Sequence, residues 1–140
     1  MDSELQELLG RMVTGLYVSD DQGLLVVTTD TGTLAFEAEG DCCSESWFAD
    51  ILGVDALLMH TVSAVEDVAL GDYNVEDGRG RQDEDDVYGH RLTTERGYAD
   101  IIYRNSSNGY YSGWLNLVTY EQDDPSQDSR LKRILVDWRA

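Results

Sequence analysis

The sequence predicts an α+β domain built mainly on an antiparallel β-sheet of about six or seven strands, with a short N-terminal helix and one or two further short helices. Three observations point there. From residue 12 onward, apolar residues recur mostly with period two. The segments that carry this pattern are joined by turns rich in Asp, Asn, Gly and Ser, several too short for the crossover a parallel pair requires. Apolar residues make up 41% of the 140, enough for one core and too many for a disordered chain.

Taken in order, Ser3 to Gln6 reads as a capping box, and Leu5, Leu8, Leu9 and Met12 form a helical stripe that Gly10 would end early. Thr14 to Ser19, Leu24 to Thr29 and Thr33 to Glu39 read as three strands of a meander. In the third, Leu34, Phe36 and Ala38 share one face and Glu37 and Glu39 the other. Ser46 is expected to cap a short helix carrying Trp47, Phe48, Ile51 and Leu52, followed by a turn through Asp55 to Leu58. Thr61 to Leu70 reads as one long strand. Residues 71–86 are rich in glycine and acids and read as a surface loop or hairpin tip. Val87 to Thr94 and Tyr98 to Arg104 form a hairpin across Glu95-Arg96-Gly97, and Asn105 to Gly109 is a dense turn signal. Tyr110 to Tyr120 resumes as a strand, and Glu121 to Ser129 reads as a linker. For Leu131 to Trp138 the spacing of Leu131, Ile134, Leu135 and Trp138 favours a helix, although Ile134 to Val136 alone fits a strand. One domain over residues 1–140 is expected, with a β-rich core over 12–118 and a C-terminal extension over 121–140.

Charge excludes several functions. With 28 acids against 10 bases the formal net charge is −18, a field that repels phosphate backbones and anionic lipid. Direct nucleic-acid or membrane binding is therefore not expected. No apolar run approaches the roughly 20 residues of a membrane helix, and Met1 to Glu4 does not look like a secretory leader. Adjacent Cys42 and Cys43 suit a reducing compartment, so a cytoplasmic location is expected. The acids leave two readings open: a solvated surface, or a surface that attracts a basic protein as a DNA-mimicking decoy would.

Two strings stand out, Gly40-Asp41-Cys42-Cys43-Ser44-Glu45-Ser46-Trp47-Phe48 and Tyr103-Arg104-Asn105-Ser106-Ser107-Asn108-Gly109-Tyr110-Tyr111-Ser112-Gly113-Trp114. Together they resemble the signatures G-D-C-C-S-x-S-W/Y-F and R-N-S-S-N-G-Y-Y-G-G of an uncharacterised domain family of phages and bacteria. Ser112 stands where that pattern has glycine. The resemblance implies a phage or prophage accessory gene, of the kind whose products bind host proteins, defence components or small polar ligands.

Each candidate site has a structural alternative. Cys42-Cys43 lacks the second pair of ligands that zinc requires, and the sequence places neither His60 nor His90 beside the thiols as a base; a tight turn is the favoured account of the motif. Arg104, Asn105, Ser107, Asn108, Tyr110 and Tyr111 offer a cation, amides, a hydroxyl and rings, the mixture that holds a polar, ring-bearing ligand. Self-bonding turn residues and cross-strand tyrosines are the plainer account. Asp72 to Glu84 misses the calcium-loop pattern, because Asp77 occupies the glycine position. The expectation is therefore a non-enzymatic binding protein without metal or cofactor. Its ligand-binding residues would be Asp41, Ser44, Trp47, Arg104, Asn105, Ser107, Asn108, Tyr110 and Tyr111. Its partner would be a host or phage protein or a small polar ligand. The alternatives are an acidic decoy contacting basic protein through the 71–86 loop, and a minor virion component.

Overall fold

Two antiparallel sheets face each other across one core. The structure, a computed structural model, describes residues 4–40, 44–68, 84–107, 113–122 and 124–139. Its strands are β1 (Met12–Ser19), β2 (Leu24–Thr29), β3 (Gly32–Gly40), β4 (Ser44–Leu52), β5 (His60–Thr61), β6 (Ala64–Val68), β7 (Glu84–Thr94), β8 (Gly97–Ser107), β9 (Gly113–Val118), β10 (Leu131–Arg133) and β11 (Trp138–Arg139). The first sheet runs β10-β1-β2-β3-β9, with β5 also on β1; the second runs β11-β4-β8-β7-β6. Leu16, Leu25 and Phe36 from the first sheet meet Phe48, Ile51, Leu92 and Ile101 from the second, all fully buried. A smaller cluster of Tyr17, Val26 and Ala35 lies on the outer face of the first sheet, covered by Tyr120 and Leu131.

The meander β1–β3 and the β7–β8 hairpin follow the alternation read from the sequence. The N-terminal helix is a single 3₁₀ segment, Glu4–Leu8, that buries Leu5 and Leu8. Gln6 does not turn back on its own helix; its amide donates to the Val65 carbonyl at 2.9 Å. A second short helix, α1 (Val54–Leu57), replaces the turn expected there. Gly53 before it has φ +78°, and a Cβ at that position would collide with the Tyr98 carbonyl, so the close approach of α1 to β8 requires glycine.

Four expectations need correction. Residues 46–52 form β4, not a helix. A β-bulge between Phe48 and Asp50 sets Phe48 opposite Tyr103 and Ile51 opposite Ile101. The bulge spends one extra residue, so two core positions lie three apart and imitate helical spacing. Residues 131–138 are also not a helix. β10 joins the first sheet, buried Ile134 enters the core, Leu135 and Val136 are exposed, and β11 joins the second sheet. This stretch is a crossing between sheets, which needs no repeating face. The long strand expected over 61–70 is two, β5 and β6, and its last two residues lie outside the described ones. With β4, β10 and β11 this brings the described strands to eleven rather than six or seven. Finally, Asn105 to Ser107 continue β8 instead of turning. The acidic loop lies outside the described residues except for 84–86, which open β7.

Candidate functional site

A groove of about 690 Å³ lies beside the turn between β1 and β2. The turn is built by its own side chains. Asp21 Oδ1 accepts the Ser19 hydroxyl at 2.6 Å and the Gly23 N–H at 2.9 Å, while Ser19 Oγ accepts the Leu24 N–H at 3.0 Å. Gln22 takes a left-handed φ of 65°. Its carbonyl accepts the Phe48 N–H at 2.7 Å and its amide donates to the Phe48 carbonyl at 3.3 Å, so the turn of the first sheet is clamped to β4 of the second.

Around the groove stand Asp20 and Asp21 from the turn, Glu37 from β3, Ser46 from β4 and Arg130 from the C-terminal segment. Ser46 Oγ donates to the Glu39 carbonyl at 3.0 Å. Glu37 lies opposite Leu24 in the sheet. Partial desolvation on the groove wall raises its pKa, and repulsion from Glu39 and Asp21 raises it further. The single guanidinium is already engaged: Arg130 Nε and Nη2 donate to the two Asp128 oxygens at 3.0 and 2.7 Å. Asp128 also accepts the Arg130 N–H and the Tyr120 hydroxyl, each at 3.0 Å. The Arg130 bonds foremost hold its carboxyl well below the usual range. Burial, then the bond to Asp128, pushes the Tyr120 hydroxyl up to about 12. The groove is thus anionic, and the chemistry it offers is attraction of a cation.

Of the residues singled out from the sequence, Trp47 and Arg104 are not among those around the groove. The β4–β8 register sets Ser44 opposite Ser107, Ser46 opposite Asn105 and Trp47 opposite Arg104, so the stretches 44–48 and 103–107 of the two strings run side by side. Trp47 and Arg104 are nonetheless only 1% and 2% exposed, with the guanidinium carbon 5.5 Å from the ring centroid. They occupy the opposite face of β4 and β8 from Phe48 and Tyr103. Asp41, Cys42, Cys43, Asn108, Tyr110 and Tyr111 lie outside the described residues, as does most of Asp72 to Glu84.

Both histidines have cross-strand or loop partners that sequence spacing does not reveal. His60 Nδ1 is 3.4 Å from Glu95 Oε1, and His90 Nδ1 is 2.9 Å from Asp67 Oδ1. His90 stacks on Tyr103, and its Nε2 is buried without a hydrogen-bond partner. Burial lowers its pKa, opposed by Asp67. Among the described residues no group of three His, Cys, Asp or Glu is placed to hold a metal. No described helix is long and apolar enough to cross a membrane.

Sequence reading missed the acidic groove. Asp20, Asp21 and Glu37 had local signals, a turn and an outward-facing strand position. Arg130 and Ser46 reach the groove only through long-range folding.

No solved structure matches this chain. A curated relative, uncharacterised protein L278 of Acanthamoeba polyphaga mimivirus, is 36% identical over 91 residues, covering 59% of this chain. The matched stretch spans 66% of the relative's length, just under two thirds. The family profile described as domain of unknown function DUF7448 matches residues 6–117, the greater part of the chain and nearly all of both sheets, and the chain belongs to that family.

Proposed function

We propose that this chain is a non-catalytic accessory protein of viral or prophage type that holds a cationic group of a basic partner protein in the acidic groove. The observation that carries the reading is the groove itself: three carboxylates surround it, and its one guanidinium is bidentate on Asp128. A lysine or arginine entering it would relieve the crowding that raises the Glu37 pKa. The net charge of −18 supports the same reading, since it speeds encounter with a basic surface. The mimivirus relative supports the viral context.

The test is a calorimetric titration with a hexa-arginine peptide at low and high salt. The variant Asp20→Asn/Glu37→Gln should lose most of the binding. A control that removes the same charge elsewhere, Asp55→Asn/Glu66→Gln, should keep it. Equal weakening by both would mean diffuse attraction to an acidic surface, and the groove would lose its role.

A further inference from the structure

The charge is not spread evenly. Residues 130–139 carry four of the ten bases and only one of the 28 acids. They also form β10 and β11, the two strands that carry the chain from one sheet to the other. A second cleft, about 240 Å³, opens at that crossing. Lys132 sits opposite Val18, a core residue of the first sheet, and Trp138 sits opposite Ile51, a core residue of the second. Directly paired residues share a face, so the ammonium stem and the indole both point toward the space between the sheets, at its rim. Arg139 adds a guanidinium that is 68% exposed, reaching Asp50 at only 3.4 Å. Gln22 and Asp20 also line the cleft, and Asp20 is shared with the acidic groove.

The geometry points to a small aromatic oxyanion as the ligand of this cleft, a single flat ring bearing one phosphate or carboxylate. Three features select that class. Lys132 supplies a charge-assisted donor for an oxyanion, and Arg139, which lines the same cleft and is paired with Asp50, adds a second positive charge. The half-buried indole supplies an apolar wall on which a ring packs. The volume is of the order that one ring with one anionic group fills. This site is distinct from the acidic groove, although the two share Ser19 and Asp20. Asp20 opposes an anion in the cleft and favours a cation in the groove, so one residue couples the two sites with opposite sign.

The test titrates the full chain with phenyl phosphate, inorganic phosphate and phenol by calorimetry. Phenyl phosphate should bind saturably, more tightly than either fragment. Lys132→Gln and Arg139→Gln should each weaken it by about tenfold. Asp20→Asn should strengthen phenyl phosphate while weakening the arginine peptide, which separates failure of this site from failure of the groove. Thermal melts confirm that the variants fold. Absence of saturable binding, equal binding of phosphate and phenyl phosphate, or indifference to Lys132→Gln and Arg139→Gln together would overturn the inference.

Discussion

Two pairs of a tryptophan and an arginine sit on the second sheet with opposite fates. Trp47 and Arg104 lie across the β4–β8 register and are sealed, 1% and 2% exposed. Trp138 and Arg139 lie next to each other on β11, at the sheet edge, and line an open cleft. Residue type is the same in both pairs; position in the sheet decides which can meet a ligand. An inner strand with neighbours on both sides hides its side chains wherever the face is covered. An edge strand at a crossing leaves one flank of them to solvent. Chemistry read from residue type alone therefore does not tell the two pairs apart.

The largest predicted effect tests the closed pair. Trp47→Ala should cost about 3–5 kcal/mol, because a fully buried indole leaves a cavity and strips the cover from a buried guanidinium. Urea unfolding measures it, and a loss comparable to a surface substitution would open the pair to a binding role.

The second effect concerns His90, buried on the inner face of the same sheet. Its native pKa is lowered, by burial first, against an ordinary 6.5. Around it stand Asp67, Tyr88 and Tyr103. Below the ordinary value the unfolded chain takes up a proton that the native one refuses, so stability is full above about 6.5 and falls on acidification. The slope reaches at most ~1.4 kcal/mol per pH unit, until the native group itself titrates. His90→Gln should remove this component, seen as a difference between the two proteins in urea midpoints at neutral and mildly acidic pH.

The third sharpens the role of the tail. Asp137 Oδ1 accepts the Gly53 and Val54 N–H groups at 2.9 and 3.0 Å, tying the crossing segment to the start of α1. Asp137→Ala should cost about 1 kcal/mol. The smallest effect belongs to the open cleft: Lys132→Gln should change stability by less than about 0.5 kcal/mol, as expected of an exposed side chain.

What could be read from the sequence divides along similar lines. The meander and the β7–β8 hairpin were legible because their apolar, β-branched runs are separated by short turns that fix each strand's neighbour. β4 was not, because its bulge puts Phe48 and Ile51 three residues apart, and a second bulge does the same for Val13 and Leu16 in β1. The tail was not, because Leu131 packs on the outer cluster while Ile134 and Trp138 turn to the core, so no single face repeats. The acids of the groove were visible as a turn and an outer strand face. That Arg130 meets them, already neutralised by Asp128, depends on β10 joining β1 more than a hundred residues later, and no local pattern encodes it.

The central claim, that the groove concentrates negative charge to receive a cation, is tested most directly by following the Glu37 carboxyl by NMR across pH, with and without the hexa-arginine peptide. The account predicts a pKa above the ordinary 4.5 in the free chain and a lower one in the complex, since a bound cation stabilises the ionised form. An ordinary pKa in the free chain, or one that the bound peptide leaves unmoved, would contradict it.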